Sequence, residues 1–330
     1  MRLHTSNRIT FYCPVDCPTV AMLRPRSGSA QWVVAQAYDM APWAAGTEYV
    51  DVYGNLCQRF TAPAGWSTIT VESEVDVDEH AAFDPHAPCT PVAELPDDAL
   101  IYLLPSRYCP SDRMCEQAEN IVAGCKPGYA QVAAICTWVR KHIDYRYGVS
   151  DHSTDALQTL EDKAGVCRDF SHVAVSLCRA LQIPARFVTG YLYELDPMDM
   201  HAWIEAFVGG RWYTFDATQK TLRAGRVVVA YGRDAADVAF LSNYAPMEIS
   251  VMNVEVRLAQ PGPVHIGALP EQATMDAAKP VPLKAARKPK GKRRLATAMG
   301  PELATARPDA VKRAVKPRSA KPRPAKAKPA

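Results

Sequence analysis

A glycine pair in the second half of the chain constrains the fold more than any other feature. Gly209-Gly210 separates HAWIEAFV from RWYTFDAT, two runs rich in aromatic and β-branched residues, and such a pair is typical of a two-residue hairpin turn. Pairing of Val208 with Arg211 then sets the register. In this register His201 and Asp216 are diagonal neighbours on one face, about 7–8 Å apart at the backbone and within hydrogen-bonding reach of each other. A one-residue slip would place them on opposite faces.

An amphipathic helix is predicted upstream of the hairpin, over residues 167–181, because apolar residues recur there with helical spacing and Pro184 stops the pattern. Cys167 would be its first residue. Unpaired N–H groups and the dipole at a helix N-terminus favour a thiolate over a thiol, and the same groups suit an oxyanion. Cys178 falls further along the helix, near its buried stripe. Position therefore makes Cys167 the candidate nucleophile.

The ten cysteines of the chain are irregularly spaced, and no Cys-x-x-Cys pair is matched by a second one. This spacing argues against a zinc module. Without a signal peptide a disulfide framework is not expected either, so the other nine cysteines are predicted to be reduced and inert. The sequence predicts no metal and no other cofactor.

These side chains together fit a thiol enzyme. His201 would take the proton of Cys167 and later give it to a leaving group, while Asp216 would hold the imidazole tautomer. Chemistry would pass through a thioester. Each residue alone also fits a structural role, as a buried thiol, a strand histidine or a capping carboxylate. The convergence of three independent features favours the catalytic interpretation over the structural one.

Two segments resemble the core of bacterial transglutaminase-like proteins. They are GVCRDFSHVAVSLCRALQIPARFVTGYL, at 165–192, and MHAWIEAFVGGRWYTFDAT, at 200–218. The similarity extends over roughly 130–240 of this chain. YVDVYGN, at 49–55, also looks like the β-rich N-terminal domain that often precedes this core. The resemblance implies a papain-like fold.

The resemblance also implies a catalytic triad of Cys167, His201 and Asp216. Members of the family include glutamine–lysine cross-linkers, proteases and amidases, so the acceptor of the acyl group, water or an amine, stays open. The second oxyanion donor is not identified by sequence. Three neighbours of the triad are predicted to line the pocket: Arg168, Asp169 and Trp203.

The predicted fold class is α+β, with helices packed on an antiparallel sheet and a small all-β domain in front. Short β runs broken by Pro and Gly fill residues 1–80, and a Pro-rich linker follows over 81–110. Helices and then strands place the catalytic core at 111–262. The remainder, 263–330, is rich in Lys, Arg, Pro and Ala and is predicted to be disordered.

Charge is distributed unevenly along the chain. Residues 279–330 carry 17 of the 38 basic residues and two of the 35 acidic ones, so their net charge is +15 and that of 1–278 is −12. Such a segment binds phosphate backbones or acidic surfaces without reading sequence. Nucleic acid or an acidic surface is therefore a candidate partner of residues 279–330, and a solubilising extension is the alternative.

The sequence thus predicts a thiol-dependent acyl-transfer enzyme, a protease, amidase or transglutaminase, that acts on peptide or protein amides. The alternatives are a non-catalytic interaction module and a nucleic-acid-tethered protein whose basic segment is the binding element. All three triad residue types are present, which favours the enzyme. The first residues lack an apolar signal segment, and no apolar run reaches the roughly 18 residues of a membrane span. A cytoplasmic location is expected.

Overall fold

The first 77 residues form six strands, as their alternating apolar pattern predicts. The computed structural model describes residues 1–28 and 31–259. In the last of the six strands the residues from Ile69 to Val77 alternate between buried and half-exposed, because successive side chains of a strand point to opposite faces. The bounds are Arg2–Cys13 (β1), Cys17–Ala21 (β2), Gln31–Ala41 (β3), Gly46–Val50 (β4), Leu56–Ala62 (β5) and Gly65–Val77 (β6).

The helical half of the core follows an irregular stretch that occupies most of the predicted linker. Two very short strands, Asp144–Tyr145 (β7) and Ala164–Gly165 (β8), lie between the helices of this half and pair in parallel. No helix among residues 1–28 and 31–259 is both long and apolar enough to cross a membrane. The helices are Asp97–Leu100 (α1), Cys115–Ile121 (α2), Tyr129–His142 (α3), Ala156–Asp162 (α4) and Cys167–Ala180 (α5).

A four-stranded antiparallel sheet carries the predicted hairpin and packs against α5. Its strands are Ala185–Leu192 (β9), His201–Val208 (β10), Arg211–Phe215 (β11) and Arg226–Gly232 (β12), in the order β11-β10-β9-β12. Val208 pairs with Arg211, which confirms the predicted register. Gly209 and Gly210 have φ of 57° and 78°, the left-handed values that a type I′ turn requires. Phe170, Val173 and Leu177 of α5 lie in the core between helix and sheet.

The last strands return to the N-terminal sheets. Leu241–Asn243 (β13) pairs with β2, and Glu248–Leu258 (β14) pairs with β1 over nearly its whole length. The strand order is β14-β1-β6-β3 in one sheet and β13-β2-β5-β4 in the other. The predicted core boundary at 262 is therefore corrected, since 241–258 completes the N-terminal sheets. The basic segment 279–330 lies outside the described residues.

Candidate active site

Cys167 is half-buried at the first position of α5. The helix begins here because Val166 is extended, with φ −113° and ψ −176°, and because the Asp169 carboxylate accepts a hydrogen bond from the Val166 N–H at 2.9 Å. A carboxylate three residues into a helix satisfies a donor that the helix itself leaves unpaired. The thiol is thereby held at the positive end of the helix dipole.

Asp169 builds this helix start and does not line a pocket. Its side chain is fully buried, and its Oδ2 also accepts a hydrogen bond from the Ser150 hydroxyl. Oδ1 accepts one from Arg168 Nη2 at 2.8 Å, and Arg168 in turn donates to the Asp151 carbonyl at 2.7 Å. The prediction that Asp169 lines the pocket is corrected by this burial. Arg168, which is 28 % exposed, ties α5 to the loop around residue 150.

His201 opens β10 and is almost completely buried, with 2 % of its side chain exposed. It pairs with Gly190 of β9. A Cβ atom at position 190 would lie 2.0 Å from the Val227 carbonyl oxygen and 2.9 Å from the Trp203 ring, so only glycine fits there. The close approach of the two neighbouring strands fixes the backbone that carries His201.

Asp216 follows β11 directly and holds His201 through a 2.8 Å hydrogen bond from Nε2 to Oδ2. The same Oδ2 accepts a second hydrogen bond from Arg226 Nη2 at 2.8 Å. Oδ1 accepts hydrogen bonds from the Thr218 N–H at 2.9 Å and the Thr218 hydroxyl at 2.7 Å. The carboxylate therefore has four donors, and its orientation is fixed from both oxygens.

The charges of this pair are set by burial and by their partners. Burial alone would raise the pKa of Asp216, but the hydrogen bond from His201 and the charge of Arg226 hold that pKa well below its ordinary value. Burial alone would lower the pKa of His201, yet its hydrogen bonds to Asp216 and Cys167 raise that pKa to about 9. With Nε2 on Asp216, Nδ1 is the ring nitrogen left to meet the Cys167 thiol. An imidazole held in this way is suited to act as the base for a nucleophile.

Trp203 lies on the same face of the hairpin as His201, as the register predicts, but it is only 1 % exposed. Its ring stacks near the His201 ring, with centroids 6.1 Å apart and an interplanar angle of 28°. The Arg226 guanidinium lies 5.0 Å from the Trp203 ring centroid. The prediction that Trp203 lines the pocket is therefore corrected, since the ring packs beneath the pair.

Sequence reasoning missed Arg226, the first residue of β12. Its side chain is 8 % exposed, and it is the cation that contacts Asp216. The available signal was a basic residue at the start of the apolar run RVVVAYG. A strand register alone does not show which neighbouring strand lies beside β9, so this contact needed the three-dimensional fold.

Tyr145 is a second residue that the sequence did not single out. It belongs to β7, whose pairing aligns it with Gly165, two residues before the thiol. The residue is 42 % exposed, and Cys167 is among the groups that act on the pKa of its hydroxyl. The ring packs against Phe170 and Tyr147, with centroids 5.7 and 5.6 Å away. Tyr145 therefore brings a hydroxyl donor to the start of α5, the region in which an oxyanion would form.

All ten cysteines are free thiols. Burial raises the pKa of Cys178, on the same helix as Cys167, to about 12, so this thiol stays protonated at neutral pH. Cys115 is the most accessible of the ten and has no hydrogen-bonded base beside it in the described structure. Of these thiols, Cys167 is the one that acts on the pKa of His201. Within residues 1–28 and 31–259 no three His, Cys, Asp or Glu residues cluster as a metal site would require.

Two family models match the chain: the transglutaminase-like superfamily over residues 116–217 and the bacterial transglutaminase-like N-terminal region over residues 7–78. An uncharacterized protein of Mycobacterium leprae is 31% identical over 234 residues, which cover 66% of this chain and 83% of that protein. An uncharacterized protein of Mycobacterium tuberculosis is 30% identical over 266 residues, which cover 71% of this chain and 84% of that protein.

Among solved structures, one described as "a Putative Cysteine Protease from Cytophaga hutchinsonii" is 32% identical. It superposes with a TM-score of 0.73 and covers 78% of this chain and 90% of its own. The fold and these matches define a thiol-dependent catalytic family with a papain-like core. The chain belongs to the transglutaminase-like superfamily and carries the β-rich N-terminal region of its bacterial members. The predicted resemblance and fold class are both confirmed.

Proposed function

We propose that the protein is a thiol-dependent acyl-transfer enzyme that acts on amide or peptide bonds through a thioester on Cys167. The observation that carries this proposal is a buried His201 held at 2.8 Å by a carboxylate that is itself fixed by other donors, with Cys167 close enough to raise the pKa of that imidazole. A buried imidazole oriented in this way acts as a general base for the nucleophile.

Cys167 and His201 are sufficient for every bond and proton transfer of the proposed reaction. His201 takes the proton of Cys167, and the thiolate attacks the carbonyl carbon of the amide. The C–N bond then breaks as His201 returns the proton to the departing amine, which leaves the acyl group on sulfur. Water or a primary amine next attacks the thioester while His201 accepts its proton. The acyl group departs as a carboxylic acid or a new amide, and Cys167 is regenerated.

The oxyanion of both tetrahedral intermediates would lie between the Cys167 N–H and the Tyr145 hydroxyl. Support comes from the position of Tyr145, which the β7–β8 pairing holds beside the helix start. Donors fixed before the reaction stabilise developing charge without having to reorganise, and each is worth about 10²–10³ in rate.

Trapping of the acyl-enzyme tests the proposal. The full chain would be incubated with a library of blocked peptide esters and amides, quenched in acid, and digested for mass spectrometry. We expect the acyl group on the peptide that contains Cys167 and none in the Cys167→Ala variant. A wild-type protein in which other thiols such as the exposed Cys115 carry the acyl group and the Cys167 peptide does not would contradict the assignment.

The second half of the experiment distinguishes a peptidase or amidase from a transglutaminase. A trapped acyl-enzyme would be divided between buffer and buffer with a dansylated primary amine. Release as free acid in both samples indicates a hydrolase, whereas incorporation of the dansyl group indicates transfer to amines. His201 serves either acceptor, so its geometry leaves the outcome to the acceptor's access to the thioester.

Residues 279–330 add a proposal about partners. Their net charge of +15 opposes the −12 of the preceding residues, which supports their use as a tether to an acidic polymer such as nucleic acid. Deletion of 279–330 should abolish retention on DNA at low salt and leave peptide turnover unchanged. Equal retention of both proteins would refute the tether.

A further inference from the structure

Arg226 contacts the Asp216 carboxylate of the His201–Asp216 pair from β12, the strand at the opposite edge of the sheet from β11. Its Nη2 donates at 2.8 Å to Asp216 Oδ2, the same oxygen that accepts the hydrogen bond from His201 Nε2 at 2.8 Å. The guanidinium also lies over Trp203, at 5.0 Å from the ring centroid. Its Nε and Nη1 have no acceptor among the described protein atoms, so the ion pair with Asp216 is its main polar anchor.

The charge of Arg226 matters because the whole group is closed to water. Asp216 is 0 % exposed and the Arg226 side chain 8 %, so a net charge here is costly. Without Arg226, the negative charge of the buried Asp216 carboxylate would be balanced by a protonated His201. His201 would take that proton from solvent, and Cys167 would keep its own. With Arg226 in place, the negative charge of Asp216 is already balanced by a cation. A protonated His201 therefore needs a different counterion. The Cys167 thiolate is the group that can supply it.

Other charged groups face this cluster from the elements around it. Asp199, in the loop before β10, acts on His201, while Glu205 of β10 and Arg223 of the loop before β12 act on Arg226. Glu205 is paired with Arg186. Among the described residues none of these three side chains hydrogen-bonds to Asp216 or His201. Burial raises the pKa of Asp199, so its charge changes at the acidic end of the pH range, whereas Arg226 is the cation in direct contact with Asp216.

We propose that Arg226 is a positioning residue whose charge offsets that of Asp216, so that His201 takes its proton from Cys167 rather than from solvent. The step moves one proton from the Cys167 sulfur to His201 Nδ1 and leaves a thiolate beside an imidazolium. Because the proton moves within the cluster, the net charge of the cluster stays the same. The inference rests on the proposed function, since it assigns the source of the proton in the first step of that reaction.

The pH dependence of Cys167 alkylation tests the inference without any substrate. Full-length protein would be treated briefly with iodoacetamide between pH 4 and 10, and the Cys167 peptide quantified by mass spectrometry. Wild type should show two inflections, one for formation of the ion pair and one for loss of the imidazolium proton. Arg226→Gln removes a positive charge and should move both inflections to higher pH by about one unit. Asp216→Asn should move both to lower pH.

The double variant Asp216→Asn/Arg226→Gln is the decisive comparison. It removes one charge of each sign, so its inflections should lie between those of the two single variants and closer to wild type than either. Arg226→Lys keeps the charge and should also stay close to wild type. A role in packing alone would move the inflections in no consistent direction, and a double variant no closer to wild type than the single ones would overturn the inference.

Two checks keep the outcomes distinct. Circular dichroism establishes folding of each variant, and if Arg226→Gln does not fold, the shift between Asp216→Asn and the double variant carries the same information. A wild-type Cys167 that reacts no faster than Cys115 below neutral pH would overturn the proposed function and this inference together. Two clear wild-type inflections that the variants leave unmoved would overturn the role of Arg226 alone.

Discussion

Asp216 accepts four hydrogen bonds in a place closed to solvent, and its charge governs the residue beside it. The raised pKa of His201, about 9, follows from that carboxylate and from Cys167. Because the folded-state pKa lies above the unfolded value of about 6.5, protonated His201 contributes stability that is fully present below pH 6.5. This stability is lost as the pH rises through about 9. A single residue pair therefore links the proposed catalysis to alkaline stability.

Replacement of Cys167 by alanine should abolish turnover while leaving the fold intact. The half-buried thiol contributes little packing, so the free energy of unfolding should fall by no more than about 1 kcal/mol. Turnover should drop by at least about 10⁴-fold, measured on the peptide found in the trapping experiment. Cys178→Ala is the matched control on the same helix, and it should keep its turnover. Full activity of Cys167→Ser would contradict the nucleophile assignment.

Replacement of Tyr145 by phenylalanine tests the oxyanion proposal. The ring and its contacts with Phe170 and Tyr147 remain, so the fold should be unchanged. Loss of the hydroxyl should lower kcat by about 10²-fold, while the rate of Cys167 alkylation by iodoacetamide stays within about twofold. Tyr147→Phe serves as the control. Equal losses of kcat in the two variants would show that the Tyr145 hydroxyl has no special part.

Helix α5 carries both the proposed nucleophile and a buried histidine that the proposed mechanism does not use. His172 is fully buried between the rings of Tyr108 and Phe187, and its Nε2 accepts a hydrogen bond from the Ala235 N–H at 3.2 Å. Burial, with a smaller effect of the Arg168 charge, lowers the pKa of His172 to about 3. The folded protein therefore holds this imidazole neutral, and it anchors the helix to the segment after β12.

His172 should make the fold sensitive to mild acid. Its folded-state pKa lies below the unfolded value, so the unfolded chain binds the proton first and stability falls as the pH drops below about 6.5. Between pH 7 and pH 5 the loss should reach about 2 kcal/mol. In His172→Gln, whose amide oxygen can replace Nε2 as acceptor, this part of the acid dependence should vanish. Thermal unfolding at both pH values measures it, and parallel losses in the two proteins would contradict the assignment.

At the scale of the whole molecule, the two ends of the described chain lie in one sheet. Strand β14 pairs with β1 from Leu258 opposite Leu3 to Glu248 opposite Tyr12. Val256 is buried in the core of this region. The segment after the core sheet therefore returns to cover the first strand, and it completes a region that the family model matches only up to residue 78.

Truncation distinguishes this strand from the basic segment that follows. A chain ending at 247 would leave the hydrogen-bonding edge of β1 open and expose part of the N-terminal core, so its melting temperature should fall by about 5 °C or more, about 2–3 kcal/mol for a chain of this size. A chain ending at 278 keeps β14 and should melt within about 2 °C of the full protein. Equal melting of both truncated chains would show that β14 contributes nothing.

How far sequence reasoning succeeds depends on the range of the interaction. The His201–Asp216 hairpin and the start of α5 are local: a glycine pair fixes the register, and a carboxylate at Asp169 fixes the first turn. The roles of Asp169 and Trp203 were mistaken, because closeness to a triad residue along the chain does not reveal burial. Arg226 was missed because its contact joins the two edge strands of the sheet, and the order of strands in a sheet is not shown by the sequence.

The sequence by itself determined the local geometry that presents a thiol, an imidazole and a carboxylate, since turns, strand alternation and helix ends depend on residues a few positions apart. Tertiary structure alone decided which side chains are closed to water, which cation shares the carboxylate and which hydroxyl lies beside the sulfur. Those outcomes depend on how separate elements pack, and burial controls the strength of every charge in the site. The same packing returned residues 248–258 to the first strand.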